Sequence, residues 1–281
     1  MEKLELHSEL AIMILKSYLD KFYKYQKAKW ETPHLEYQEL MEDDNNFVDE
    51  YKFTYYDMHE NDPSAGHIED FIYGLNNIIK DEDLNGLEGL KDEKVLGGAI
   101  IAFDFGAHLY SPLIQVNAGD YKLTVSPVSL NKSEKDFVDQ LRDFILDDIH
   151  LLKDMDIYLL RNKSKVGMGF FEADNFYPDF VFWINTPNIQ YISFIDPKGL
   201  RMLQWDDPKI EFYAKIKELE SRLEPTIADK RIVLNSFIMS GTPSEDLRHL
   251  WRKNGPERHA KNIFCLDDYD CIGKMFEKIL E

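Results

Sequence analysis

From residue 95 onward the apolar positions change period several times, and each change predicts an element. Residues 95–103, 109–116 and 121–125 are apolar or β-branched runs bounded by Gly, Asn and Asp, which predicts three strands. Asn131-Lys132-Ser133-Glu134 then opens a helix in which Phe137, Val138, Leu141, Phe144, Ile145 and Ile149 form one apolar stripe, as on a helix lying on a sheet. Four further runs, 157–160, 167–172, 180–184 and 189–195, follow too closely for helices between them and predict a largely antiparallel meander. Beyond it the pattern predicts a helix over 209–223, a strand over 231–238, a helix over 244–252, a short strand over 262–266 and a last helix over 269–280.

The first third reads differently. Leu10, Ile12, Met13, Leu15, Leu19, Phe22 and Tyr23 recur at near-helical spacing, 35–41 is a shorter helical candidate, and one more helix fits 67–80. The fold class expected is therefore mixed α/β over residues 95–281, with a mainly helical appendage over 1–94 that serves as a connector or docks a partner.

Charge sharpens that division. The formal net charge is −19. Residues 1–95 hold 23 acidic against 10 basic residues, −13 of the total, and the rest of the chain holds −6. So acidic a chain does not coat nucleic acid through a broad basic surface, because duplex binding draws mainly on phosphate neutralisation. Local exceptions are Arg248, Arg252, Lys253, Arg258 and Lys261, candidates for phosphate contacts and equally for a solvated helix end and loop, and the trio Arg161, Lys163 and Lys165 in an expected loop, read first as solvated charge and second as phosphate-steering. No apolar run is long enough to cross a bilayer, and Met1-Glu2-Lys3-Leu4-Glu5 lacks the layout of a signal peptide, so a cytoplasmic protein without a membrane partner is expected. Cys265 and Cys271 lack zinc-site spacing and read as core thiols.

The chemistry concentrates in one hairpin. Tyr177-Pro178-Asp179 leads into an apolar strand, the turn-forming Asn185-Thr186-Pro187-Asn188 follows, and the second strand ends in Asp196-Pro197-Lys198-Gly199. If Ile184 pairs with Ile189, Asp179 stands opposite Phe194, and period-two alternation puts Asp196 and Lys198 on the same face. Two carboxylates at the end of apolar strands repel, and a divalent cation removes that cost. Oxygen ligands from Asp179, Asp196 and the Pro197 carbonyl suit hard Mg2+ or Mn2+, with Lys198 left to steady an attacking water or the charge on a phosphate. Phosphodiester hydrolysis fits that set. Pro197, lacking an N–H, is expected to end its strand. Glu134 is either a further catalytic acid on the inward side of its helix or one half of a capping box with Asn131. Glu172, Asp174, Ser236 and Ser240 are weaker candidates, read first as loop charges and ordinary strand serines.

Leu159-Leu160-Arg161-Asn162, Gly167-Met168-Gly169-Phe170-Phe171-Glu172, Tyr177-Pro178-Asp179-Phe180 and Phe194-Ile195-Asp196-Pro197-Lys198-Gly199-Leu200 together resemble the C-terminal PD-(D/E)xK endonuclease region of type III restriction-enzyme-like helicase subunits. The likeness extends upstream through 127–138 and more loosely to 17–23. It implies a restriction-endonuclease-like fold, Mg2+-dependent cleavage of DNA in defence against foreign DNA, catalytic duty on Asp179, Asp196 and Lys198, and Glu134 as the helix-borne acid. Such proteins carry an ATP-driven motor, and no GxxxxGK[ST] loop occurs here, so a helicase or translocase on a separate chain or domain is the implied partner. An inactive nuclease-fold assembly module and an RNase are the alternatives.

Overall fold

The computed structural model describes residues 52–55, 93–96, 100–103, 113–116, 123–126, 128–147, 152–163, 169, 176–223, 226–227 and 229–281. The helices expected over 10–23, 35–41 and 67–80, the run 167–172 apart from Gly169, Lys165, Glu172 and Asp174 lie outside them.

The short strands come first. β1 (Lys52–Tyr55) pairs antiparallel with β5 (Leu123–Ser126), so a segment of the N-terminal third joins one that follows residue 95. β2 (Glu93–Leu96), β3 (Ile100–Phe103) and β4 (Leu113–Val116) form an antiparallel three-stranded sheet. The run 95–103 is thus two strands rather than one. Leu96 pairs with Ile100 across the Gly97-Gly98 break, whose apolar flanks read as one run because glycine carries no hydropathy signal.

The main sheet follows the helix α1 (Lys132–Asp147), whose stripe is buried at Phe137, Val138, Leu141 and Ile145. β6 (Asp156–Arg161), β7 (Phe180–Asn185) and β8 (Ile189–Lys198) form the antiparallel meander that the close spacing of the apolar runs predicts. α2 (Phe212–Glu220), shorter than the 209–223 expected, crosses to β10 (Lys230–Ser240), which lies parallel to β8, and the two-residue β9 (Thr226–Ile227) pairs with the start of β10. After α3 (Ser244–Trp251) and a 3-10 segment (Arg252–Lys261), β11 (Ile263–Cys265) joins parallel to β10, and α4 (Cys271–Leu280) closes the described chain. The sheet order is β11-β10-β8-β7-β6, a mixed five-stranded sheet flanked by helices.

Aromatic packing fixes two helices on one face. The rings of Phe137 on α1 and Phe180 on β7 lie 5.6 Å apart, and Phe276 on α4 sits 4.6 Å from Phe144 and 5.6 Å from Phe182. Cys265 and Cys271 are free thiols buried in the core, as their spacing suggests. Leu141, fully buried in this layer, is expected to cost about 2–4 kcal/mol when replaced by Ala, from lost transfer energy and the cavity left behind; a urea titration with unchanged slope would measure it.

β8 and β10 run together to one edge, with Lys198 beside Ser240. There a Cβ on Gly241 would meet the Ser133 hydroxyl at 2.3 Å and its Cβ at 3.2 Å, so α1 begins directly against the strand ends and any larger residue would push the serine aside. Glu134 is thereby delivered to the edge at which Lys198 ends.

Candidate active site

The hairpin register differs from the one expected by two residues. Ile184 pairs with Tyr191 and Phe180 with Ile195. Thr186 makes the difference: its N–H donates to the Ile189 carbonyl, and its hydroxyl both donates to that carbonyl and accepts from the Ile189 N–H, so Thr186 faces the first residue of β8 across the turn and the ladder closes on Asn185–Gln190. A slip of two preserves the face of every side chain. Continued past Phe180–Ile195, the observed register sets Asp179 opposite Asp196 instead of Phe194.

β8 also runs through Pro197 to Lys198 instead of stopping at the proline. The reason is directional. The Lys198 carbonyl accepts from the Gly241 N–H on the β10 side, so by alternation the N and C=O of Pro197 point to the other flank, toward β7. The missing N–H therefore costs the β10 pairing nothing. On the β7 side Pro197 comes opposite Pro178, and two prolines offer no N–H to each other. The ladder stops after Phe180–Ile195, and the strands part where Asp179, Asp196 and the Pro197 carbonyl lie.

Asn162, absent from the candidates drawn from residue type, holds the parted strand. Its backbone N–H donates to the Asp179 carbonyl at 2.8 Å, and its buried side-chain amide donates to the Pro178 carbonyl at 2.8 Å. Both ends of the Pro178-Asp179 peptide are pinned to the end of β6. The only sequence signal for this was Asn162's place just after an apolar strand.

The charges gather tightly. Asp196 is buried and receives a bond from the Lys198 ammonium, which also stands 5.1 Å over the Phe176 ring. Asp179 bonds to Asp196, and its carboxyl is pushed up to about 9, first by burial, then by the Asp196 and Glu134 charges, with Lys198 opposing. Glu134 is buried, and of its two expected roles the structure shows the capping box. It closes the capping box, accepting from the Asn131 N–H at 3.1 Å while Asn131 Oδ1 accepts from the Glu134 N–H at 3.0 Å, and it faces Asp196 and Asp179 electrostatically. Burial raises the Glu134 pKa, and Arg161, at 2.9 Å, opposes that rise.

No family model, curated protein or solved structure matches the chain. The site therefore rests on its own geometry. Among the described residues no group of three or more His, Cys, Asp or Glu side chains is placed to hold a metal ion. The parted strand end offers two carboxylates and one carbonyl, an all-oxygen set that suits a hard cation keeping several of its own waters rather than a closed protein cage. The proton that burial forces onto Asp179 is the cost such a cation removes.

The basic candidates divide. Arg161 is the last residue of β6, not part of a loop; its guanidinium turns inward to Glu134 and to the carbonyls of Val128 and Ser129. Lys163 follows it, half-buried. Arg258 is buried against Asp268 at 2.6 Å, and Lys261 meets Glu211, the Trp205 carbonyl and the Trp205 ring. These partners come from other segments, so the charge run 248–261 is less free than it reads. Arg248 and Arg252 are exposed, and the backbone of Lys253 continues the 3-10 segment. Of the serines, Ser240 is spent internally, donating to the Thr242 carbonyl and accepting its N–H, and Ser236 is buried. No described helix is long and apolar enough to cross a membrane.

Proposed function

We propose that the chain is a Mg2+-dependent endonuclease with a restriction-endonuclease-like core, hydrolysing DNA phosphodiester bonds beside a helicase or translocase partner. One observation carries the reading: the β7–β8 register brings Asp179 level with Asp196 at a parted strand end, with the Lys198 ammonium bound to Asp196. The helix–meander–helix–strand order of α1, β6–β8, α2 and β10 supports the fold the sequence resembles.

Asp179, Asp196 and the Pro197 carbonyl would hold the cation. When bound, Mg2+ supplies polarisation of the scissile phosphate and a more acidic water. Lys198 contributes a positive charge fixed beside the same acids, which would oppose the negative charge that grows on the phosphate oxygens. Asn162 and the Phe176 ring keep the first acid and the ammonium in place, so little reorganisation is left for the reaction. Arg248 and Arg252 remain as phosphate contacts on the surface.

Supercoiled plasmid is the test. Nicking is expected with Mg2+ or Mn2+, none with EDTA, and a parallel RNA substrate distinguishes an RNase from a DNase. Absence of cleavage of either substrate, with metal and with motor proteins co-purified on the full chain, would leave the assembly-module reading standing in its place.

A further inference from the structure

We infer that the site takes one divalent cation rather than two, because Arg161 withdraws Glu134 from metal ligation. The inference rests on the metal-nuclease reading above.

Both Glu134 oxygens are engaged. Oε1 accepts from the Asn131 amide at 2.8 Å, and Oε2 accepts from the Asn131 N–H at 3.1 Å and from Arg161 Nη2 at 2.9 Å. Arg161 is itself fixed, since its guanidinium also donates to the Val128 and Ser129 carbonyls in the lead into α1. The Arg161 and Glu134 side chains are each only 9% exposed. Swinging Glu134 onto a cation would open the capping box and strand a buried guanidinium, which folded proteins avoid strongly.

Paired ions about 3.5–4 Å apart need acids enough for both, some of them bridging. Among the described residues Asp179 and Asp196 are the acids at the parted strand end, and Glu134, the third acid beside them, is spent on Arg161. The charge count agrees. In formal charge, Glu134, Asp179 and Asp196 against Arg161 and Lys198 leave the cluster at −1 once a cation has displaced the Asp179 proton. One divalent ion brings it to +1, matched to one phosphate, whereas a second would bring it to +3 without a further oxygen donor from these acids.

Mn2+ titration of the full chain, with free Mn2+ read by electron paramagnetic resonance, tests this. The Asp179→Asn/Asp196→Asn double variant serves as the blank for ions on the acidic surface. Wild type is expected to bind one Mn2+ more than the blank. Two more would overturn the inference and leave the nuclease reading intact; no difference would remove the site and both readings with it. Glu134→Gln/Arg161→Gln takes out the buried pair with the charge balance kept. Its Mn2+ affinity is expected to stay within about threefold of wild type, whereas loss of a working ligand or its support costs roughly 10–100-fold. A fall of that size would make Glu134 part of the metal site and end the single-ion assignment.

Discussion

Lys198→Ala is expected to lower plasmid nicking by roughly 10²–10³-fold, and Asp196→Ala by at least as much, with circular dichroism unchanged. The two act differently. Lys198 is half-buried, and its ammonium bonds to the Asp196 carboxylate and stands over the Phe176 ring. Removing it takes away one fixed positive charge and leaves both acids, so metal binding should survive or tighten while turnover falls. Asp196 lies at the centre, bonded to Lys198 and Asp179, and its loss should abolish metal binding and turnover together. Lys198→Arg separates charge from geometry: the planar guanidinium keeps the charge but cannot reproduce a point donor on a flexible stem, so activity should recover only in part. Wild-type nicking by Lys198→Ala would mean that the ammonium only neutralises Asp196, and the mechanism would lose its electrophile.

How far such a site can be read before folding is instructive at particular residues. Apolar runs located β6, β7, β8 and β10, and the stripe from Phe137 to Ile145 located α1, because burial is recorded directly in residue type. The convergence of Asp179 with Asp196 survived a wrong register because the error was even. What decided the true register was a hydroxyl, Thr186, bonding across its own loop, and no hydropathy pattern records that. Pro197 shows the converse. Its chemistry was legible, but which flank its missing N–H faces depends on which neighbour lies there, a property of the whole sheet. Arg161 was placed in a loop because the apolar run of β6 ends at Leu160, while the strand continues one residue into a buried ion pair. Arg258 and Lys261 belong to the same class. Asp268 and Glu211 reach them from other segments, and a local run of charge cannot announce such partners.

Without metal, the protein is expected to lose stability steadily as pH rises from about 4 to about 9, and Asp179→Asn is expected to abolish most of that slope. The native Asp179 carboxyl, raised to about 9 by burial and by Asp196, keeps a proton that the unfolded chain releases above its ordinary value of 3.8. The native state thus binds the extra proton across this window. The stability it contributes is fully present below about 4 and drains away as pH climbs through 9, at up to ~1.4 kcal/mol per pH unit for one proton. Asparagine keeps the shape, cannot ionise and leaves Asp196 with a neutral neighbour. At pH 8 the metal-free variant should therefore melt several degrees above wild type, since each kcal/mol moves the midpoint of a domain this size by about 2–4 °C. Mg2+ or Mn2+ should reverse the order. A cation takes the place of the proton, so wild type should gain more from metal at pH 8 than at pH 5, and Asp179→Asn little at either. Thermal melts at pH 5 and pH 8, with EDTA or Mn2+, read all four arms. A metal-free wild type as stable at pH 8 as at pH 5, and no better than its asparagine variant, would show that Asp179 sits ionised and solvated, and the strained acid pair that invites a cation would not exist.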